Sequence, residues 1–206
     1  MREEIETYWG KEANKTCYVR AISEIEGYIR ELNERYEKEY HIGFIRHVES
    51  RIKSVDSICA KMERKGYELT VEQMLAKIKD LGGVRVICFN TAQVYRIVAY
   101  MKEDKKYAIL KIKDYIKNPK KNGYQSLHVI VNVPIEDGTQ SVRVEIQIRT
   151  ILMDAWASLD SSIRYKKKEE LSKTSIKKIE KLSQTSAVMD KVITDLMEEG
   201  IKRQQK

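Results

Sequence analysis

The segment Val142–Arg149 alternates apolar with polar or charged residues without interruption, and this pattern constrains the fold more than any other in the chain. Successive side chains of a β-strand point to opposite faces. One face would carry the β-branched residues Val142, Val144, Ile146 and Ile148, and the other Arg143, Glu145, Gln147 and Arg149. The pattern predicts a strand packed on a core. Its polar face is either solvated or, with a carboxylate between guanidinium groups, a place for a metal ion and a polyphosphate.

Hydrophobic periodicity elsewhere predicts helices and strands around this segment. Predicted helices cover an apolar stripe from Tyr18 to Tyr36, a basic segment from Arg51 to Arg64, segments capped by Thr70 and by Asn90, Thr150–Tyr165, and a last helix ended by Gly200. Predicted strands cover Val84–Phe89, Ala108–Ile112 and Ser126–Val133, with a hairpin turn at Glu136-Asp137-Gly138. This order predicts an α/β or α+β fold, a mixed sheet flanked by helices, in one domain spanning 1–206. The heptad-like spacing of the first helix favours contact with another subunit over folding back onto the sheet.

Composition narrows the choice of partner and compartment. A net charge of +8 favours an anionic partner, which leaves nucleic acid, an anionic membrane surface and nucleotides all open. The three cysteines, Cys17, Cys59 and Cys88, have no spacing that suits zinc or a disulfide framework, so we interpret them as reduced thiols in the cytosol. The N-terminus has no signal peptide, and no run approaches the ~20 apolar residues of a membrane span.

Two carboxylates are candidates for a metal site. Asp80 lies where a helix gives way to glycines and a central strand, and Glu145 lies on the polar face of another strand. If those strands are neighbours, both carboxylates can share one Mg²⁺, which proteins hold with one or two carboxylates plus substrate phosphates. Taken alone, Asp80 is better explained as a helix-terminating turn residue, and the pair is more informative than either carboxylate. Arg85 projects from a strand of core residues, where an unpaired charge would be costly.

A loop and a basic segment add candidate nucleotide contacts. In the loop Lys117–His128, Asn122-Gly123 forms a tight turn, Tyr124 could stack on a base and the lysines could hold phosphates. His128 shares a strand face with Tyr124. Ser57, Lys61 and Arg64 share a helical face downstream of Arg51 and Lys53, and could grip a triphosphate. Each feature by itself also fits a solvated surface. The chain has no Walker loop, no dinucleotide-binding glycine motif, no nucleophile elbow and no recognised nucleic-acid-binding motif.

Taken together, these residues resemble the synthetase domain of the RelA/SpoT family, and more closely its small stand-alone alarmone synthetases. The resemblance covers Phe44 to Tyr165 and rests on several motifs in the right order. They are Arg51-x-Lys53-x-x-x-Ser57-x-x-x-Lys61, Asp80-x-x-Gly83-x-Arg85, Tyr115-Ile116-Lys117-x-Pro119-Lys120-x-Asn122-Gly123-Tyr124-x-Ser126-x-His128, Glu145-Ile146-Gln147-Ile148-Arg149-Thr150 and Trp156-Ala157. The family resemblance implies a nucleotidyltransferase-like fold with a catalytic core at about 44–165. The helices of 1–43 and 171–200 would flank that core and could serve oligomerisation.

The resemblance also implies a reaction and a role for each candidate residue. The enzyme would transfer the β,γ-pyrophosphate of ATP to the 3′-hydroxyl of GDP or GTP, with GMP as a further acceptor, by synthesis without hydrolysis. Mg²⁺ would be bound by Asp80 and Glu145, and Glu145 would also help deprotonate the hydroxyl. Adenine would lie between Arg51 and Arg85. Residues implied to hold the phosphates of ATP are Lys53, Ser57, Lys61 and Arg64. Tyr124 would stack on guanine, and the rest of the acceptor site would comprise Lys120, Asn122, His128, Gln147 and Arg149.

One departure from the family pattern leaves an alternative open. After Trp156-Ala157-Ser158-Leu159 the family has Glu-His, whereas this chain has Asp160-Ser161. The change bears on the acceptor side, and it is the one feature in favour of a catalytically impaired nucleotide- or RNA-binding relative. A basic nucleic-acid-binding module is supported by net charge alone. The resemblance further implies a homo-oligomer, expected to be a tetramer, with RNA or alarmone as candidate regulators.

Overall fold

A computed structural model of the protein describes residues 2–135, 140–166 and 171–204. Its strands form one mixed sheet in the order β1-β2-β5-β4-β3. They are β1 (Ile45–Ile52), β2 (Gly82–Cys88), β3 (Ala108–Asp114), β4 (Leu127–Ile135) and β5 (Gln140–Thr150). Strands β2 and β5 are parallel, and the remaining neighbours pair antiparallel. The predicted mixed α/β sheet is confirmed, and the predicted turn Glu136-Asp137-Gly138 lies outside the described residues.

Helices flank the sheet, and several begin where the sequence predicts. They are α1 (Arg2–Gly10), α2 (Ala13–Tyr40), α3 (Val55–Arg64), α4 (Val71–Lys77), α5 (Thr91–Asp104), α6 (Ile151–Lys166) and α7 (Lys173–Gln204). The side chains of Thr70 and Asn90 accept hydrogen bonds from backbone N–H groups three residues on, as predicted. The prediction that Gly200 ends the last helix is wrong, since α7 continues to Gln204. A helical glycine costs only about 1 kcal/mol, which its neighbours offset.

Strand β1 corrects the prediction that Arg51 belongs to a basic helix. Only the later part of that segment is helical, in α3, and Arg51 lies on an edge strand paired with β2. The apolar residues Ile45, Val48 and Ile52 are spaced as on a helical face. A bulge between Ile45 and His47 breaks the strand alternation and produces that spacing.

The burial of helix α2 contradicts the prediction that its apolar stripe contacts another subunit. Its apolar stripe from Ile22 to Tyr36 is buried in the main core of this chain, against residues of β2, β4 and β5 such as Val86, Val129 and Ile146. The heptad-like spacing therefore reflects a helix laid across a sheet. Helix α1 forms a second, smaller core with α3 and α4 through Ile5 and Trp9.

Two predictions from composition can be compared with the described structure. No helix in the described ranges is long and apolar enough to cross a membrane. The three cysteines are free thiols, as predicted, with Cys59 and Cys88 buried. Because burial raises the pKa of both thiols, neither is a reactive thiolate at neutral pH.

Candidate active site

The face of the sheet opposite α2 carries a row of polar side chains that crosses all five strands. Glu49 of β1 pairs with Arg85 of β2, which pairs with Gln147 of β5. Gln147 pairs with His128 of β4, which pairs with Lys113 of β3. Side chains in register share a face of the sheet. The sequence-predicted residues Arg85, His128 and Gln147 are therefore brought onto one surface.

A closed ring of hydrogen bonds joins the acceptor-side candidates. Arg149 donates to Tyr124 Oη at 2.6 Å and to Gln147 Oε1 at 2.9 Å. Gln147 donates to Glu145 Oε2 at 3.0 Å. His128 Nδ1 lies 3.3 Å from Glu145 Oε1, and its Nε2 lies 2.8 Å from Tyr124 Oη. Because the ionised carboxylate of Glu145 only accepts, Nδ1 of His128 carries the proton that faces it, and in that neutral tautomer Nε2 accepts from the hydroxyl of Tyr124.

Glu145 is held as a carboxylate at the centre of this ring. Burial acts to raise its pKa, since its side chain is only 8% exposed. Hydrogen bonds from His128 and Gln147 and the charge of Lys113, 3.5 Å away, outweigh burial and hold the pKa well below its usual range. The group is therefore ionised at neutral pH. The predicted polar face of β5 is enclosed rather than simply solvated.

The phosphate-side lysines converge on Asp80. Lys53 and Lys61 each reach one oxygen of Asp80, at 2.9 and 2.8 Å. Burial acts to raise the pKa of Asp80, but the hydrogen bonds from the two lysines outweigh it and lower the pKa. Trp9 of α1 donates to the carbonyl of Lys53 and so fixes the entry to α3. The remaining two candidates, Ser57 and Arg64, lie exposed in the first and last turns of α3.

Arg51 and Arg85 line one cleft, as the resemblance requires. The cleft has a volume of about 170 Å³ between β1, β2 and β5, and Gln147 of β5 also lines it. Arg85 is held by Glu49 at 2.9 Å and lies 3.6 Å from Asp154 of α6. A guanidinium fixed in this way offers a flat face to a base. Gly83 lies between Arg51 and Glu145 in the register, so this part of the polar face carries no side chain.

The acceptor loop, defined as residues 115–126, is closed by a hydrogen bond from the backbone N–H of Tyr115 to the carbonyl of Ser126. Lys120 lies over the ring of Tyr124 at 4.5 Å, and burial lowers its pKa. Asn122 donates to Asp160 of α6 at 3.3 Å. The aspartate that replaces the family's glutamate therefore still reaches this loop. Ser161, which stands where the family has histidine, is exposed.

The two candidate metal ligands have separate partners in this structure. Asp80 is held by Lys53 and Lys61, whereas Glu145 is held by Lys113, His128 and Gln147. The described residues contain no group of three or more side chains of the kind that ligate metals. The donor set nevertheless fits a hard cation that takes most of its ligands from phosphates and water, because both groups are ionised carboxylates and Glu145 lies beside the open position of Gly83. Their sharing of one ion stays a prediction.

Sequence reasoning missed several side chains that organise this site. Asp154, in the first turn of α6, accepts from Arg149 at 3.0 Å and approaches Arg85, so it links the two arginines. Lys113 reaches Glu145 from the edge strand, and Glu49 fixes Arg85. Ser54 caps α3. A serine directly before a helical pattern is a signal that could have located the start of α3. The other three depend on contacts between segments distant in sequence.

Comparisons with known proteins agree with this geometry. Residues 50–170 match the family model described as a region found in RelA / SpoT proteins. The chain is 35% identical over 157 residues to the GTP pyrophosphokinase YwaC of Bacillus subtilis, which covers 75% of each chain. Its structure is similar to that of small alarmone synthetase 1 from Bacillus subtilis bound to its product pppGpp, with a TM-score of 0.82, 27% identity and coverage of 91% and 96%. Small alarmone synthetase 2 from the same organism gives a TM-score of 0.80, with 32% identity and coverage of 91% and 98%.

Proposed function

Because this chain belongs to the RelA/SpoT family, we propose that it is a GTP pyrophosphokinase, an enzyme that transfers the β,γ-pyrophosphate of ATP to the ribose 3′-hydroxyl of GDP or GTP. The products are AMP and guanosine tetra- or pentaphosphate. The observation that carries the proposal is the ionised Glu145, held in its hydrogen-bonded ring between the Arg51–Arg85 cleft and the acceptor loop. The structurally similar small alarmone synthetase 1 from Bacillus subtilis is bound to its product pppGpp, which is a product of this kind.

The donor nucleotide occupies the cleft side of the sheet. Arg51 and Arg85 bind adenine between their guanidinium planes. A planar guanidinium stacks on an aromatic base better than the ammonium group of a lysine does. Lys53, just before α3, and Ser57, Lys61 and Arg64 of that helix hold the phosphates. Asp80 binds both lysines and holds them in place for a polyanion.

The acceptor nucleotide occupies the loop side of the sheet. Tyr124 stacks on guanine, with its hydroxyl fixed by Arg149 and His128. Lys120, Asn122 and Gln147 line the rest of the acceptor site. Lys120 lies over the ring of Tyr124. Its ammonium group is therefore close to a nucleotide whose base stacks on that ring. Both nucleotides then meet over the gap at Gly83, next to Glu145.

The chemistry needs positioning and charge neutralisation more than a covalent nucleophile. The 3′-oxygen forms a bond to the β-phosphorus of ATP, and the bond from that phosphorus to the oxygen bridging the α-phosphate breaks, which releases AMP. Glu145 accepts the proton of the 3′-hydroxyl, and His128 and Gln147 keep its oxygens aligned. Mg²⁺, held by Asp80 and Glu145, would neutralise charge on the phosphates. Further positive charge comes from Lys53, Lys61 and Arg149.

Incubation with ATP, GDP and Mg²⁺ tests the proposal directly. The expected result is equal amounts of AMP and a 3′-pyrophosphorylated guanosine nucleotide, with no product in excess EDTA. Glu145→Gln keeps the shape of the ring but removes the proton acceptor, and should reduce turnover by a factor on the order of 10³. Nucleotide binding without product from the wild-type protein would overturn the proposal. Product from GMP, GDP and GTP in parallel gives the acceptor preference.

The catalytically impaired alternative has little left to support it. Its one motivating feature was Asp160-Ser161, and Asp160 keeps a hydrogen bond with the acceptor loop. The two carboxylates Asp80 and Glu145 are both present and ionised.

The assembly proposed for the enzyme is a homo-oligomer with α7 at the subunit interface. Helix α7 exposes apolar side chains at Leu182, Met189, Val192 and Leu196, between 41% and 62% of each. Spacings of seven, three and four residues place them on one coiled-coil stripe. Such a stripe is costly to leave in water, and a second copy of the same helix would cover it. We keep the cytoplasm as the proposed compartment, where the three cysteines would remain free thiols.

A further inference from the structure

Helix α7 contacts the acceptor loop at Gly123. Ser183 of α7 is 5% exposed, and its hydroxyl donates to the carbonyl of Gly123 at 2.5 Å. Gln125, two residues further along the loop, donates to the same hydroxyl at 3.5 Å. Gly123 has a φ of +89°, and a Cβ at that position would lie 2.8 Å from Ser183 Cβ. The loop backbone therefore lies directly against one turn of α7.

The same helix holds the end of β5 two turns further on. Thr150 donates to Asp190 of α7 at 2.7 Å, and both side chains are buried. The hydroxyl of Thr150 also accepts from the backbone N–H of Met153, in the first turn of α6. Residue 150 directly follows Arg149, whose guanidinium belongs to the hydrogen-bonded ring of the active site.

These two contacts bracket one active-site interaction. Gly123 immediately precedes Tyr124, and Thr150 immediately follows Arg149. Arg149 and Tyr124 hydrogen-bond to each other at 2.6 Å. One rigid helix therefore grips the chain neighbour of each partner, and fixes how far the stacking ring of the acceptor loop lies from the sheet.

We propose that Ser183 is a positioning residue for the acceptor nucleotide, acting through its hydrogen bond to the Gly123 carbonyl on the orientation of Tyr124. The inference rests on the proposed function, since it assigns the guanine nucleotide to the acceptor loop. Ser183 does not touch substrate. It restricts the loop to the conformation in which Tyr124 faces the acceptor, so that binding loses less conformational entropy.

A purely structural role for Ser183 predicts a different pattern of effects. A residue that merely stabilises α7 would change the unfolding temperature and the amount of active enzyme, with the same consequence for both substrates. A positioning residue changes the affinity of the acceptor and leaves the donor unaffected, because Arg51, Arg85 and the α3 residues lie on the other side of Glu145.

The test compares Ser183→Ala with Ser186→Ala in the full-length protein. Ser186 lies on the same helix, and its hydroxyl bonds to Leu182 of that helix, which makes it a matched loss of one hydroxyl. Measured quantities are KM for GDP and for ATP, kcat, the unfolding temperature, and the Kd of GDP by calorimetry without ATP. Loss of one hydrogen bond predicts that Ser183→Ala raises the Kd and KM of GDP about five- to tenfold, with KM for ATP unchanged. Ser186→Ala leaves both KM values, kcat and the Kd of GDP unchanged.

Other outcomes separate the two proposals. Unchanged GDP affinity in Ser183→Ala, or equal shifts for GDP and ATP, overturns the positioning role while the enzyme assignment stands. A wild-type protein that binds GDP but makes no product overturns the enzyme assignment, and the calorimetry still decides the role of Ser183. If Ser183→Ala does not fold, Ser183→Cys keeps a weaker donor at the same position. Its GDP affinity should then fall about two- to threefold, and an unchanged affinity overturns the proposal.

Discussion

Arg149 and Tyr124 are joined by a 2.6 Å hydrogen bond that connects the last residues of β5 to the acceptor loop. The tyrosine therefore presents its ring face to a base with its hydroxyl already fixed. We expect Tyr124→Phe to reduce kcat about tenfold with little change in KM for GDP, because stacking is retained while His128 loses the donor at its Nε2.

The control for this substitution is Tyr100→Phe, in which the lost hydroxyl bonds to Glu39, away from the active-site ring. In steady-state kinetics the two variants should have the same KM values, and only Tyr124→Phe should have a lower kcat than the wild type. A larger effect on KM for GDP than on kcat in Tyr124→Phe would mean that the hydroxyl contacts the substrate, and would contradict the role given to it.

Arg51 lines the proposed adenine cleft from the edge strand and is exposed there. Arg51→Ala should raise KM for ATP about tenfold, since a cation–π contact contributes roughly 0.5–2 kcal/mol. The KM for GDP should stay constant. Arg46→Ala removes the same side chain from an exposed position of the same strand, outside the cleft, and should change neither KM. Equal sensitivity of the two variants would place adenine elsewhere.

Gly123 adopts a backbone conformation that L side chains rarely reach, and it lies against Ser183. Gly123→Ala should destabilise the fold by about 1–2 kcal/mol and weaken GDP binding more than tenfold, because strain and the close contact both push the loop outward. Gly27→Ala is the matched control. It lies within α2 with no atom within 4 Å of a new Cβ, and should stabilise the fold by about 0.5–1 kcal/mol. Urea unfolding and calorimetry measure both effects, and a Gly123→Ala protein that binds GDP normally would contradict this account.

Asp190 introduces a pH dependence of stability that opposes the usual carboxylate behaviour. Burial raises the pKa of Asp190 to about 6, above its unfolded value of 3.8, in spite of the hydrogen bond from Thr150. The folded state therefore retains the proton longer, and the associated stability is lost as pH rises from about 4 to about 6. Asp190→Asn should exceed the wild type in free energy of unfolding at pH 8, by up to about 3 kcal/mol, and match it at pH 4. Urea titrations at the two pH values decide the matter, and a difference independent of pH would contradict it.

The stripe on α7 predicts how the oligomer can be disrupted. Leu196→Glu places a charge in the proposed helix–helix contact and should shift the protein to a smaller species in light scattering after gel filtration. Gln184→Glu adds the same charge on an exposed position of α7 outside the stripe, and should leave the mass unchanged. A wild-type protein that is monomeric at micromolar concentration would contradict the assembly.

Local patterns predicted the parts of the fold that depend on local physics. The alternation in β5 and the caps at Thr70 and Asn90 were recognisable because strand periodicity and capping operate within a few residues. Strand β1 was missed because a bulge gave an edge strand the apolar spacing of a helix. The destination of α2 was wrong because an apolar stripe specifies burial without specifying the partner.

The candidate site shows the same division. Residue types and motif order identified Glu145, His128 and Arg85, but no local pattern indicates which groups charge and orient them. Lys113 contacts Glu145 from the edge strand β3, and Asp154 of α6 contacts Arg85 and Arg149. Those contacts exist only after the chain has folded. The contact of Ser183 with Gly123 spans 60 residues and is invisible in the sequence for the same reason.

Strand β5 is the last strand along the described chain, yet it occupies the centre of the sheet, between β2 and β4. A polypeptide that ends before β5 would have two separate strand pairs, β1 with β2 and β3 with β4, without Glu145 between them. The proposed donor and acceptor sides meet only when this central strand joins the two pairs. We therefore expect a chain truncated before β5 to make no product.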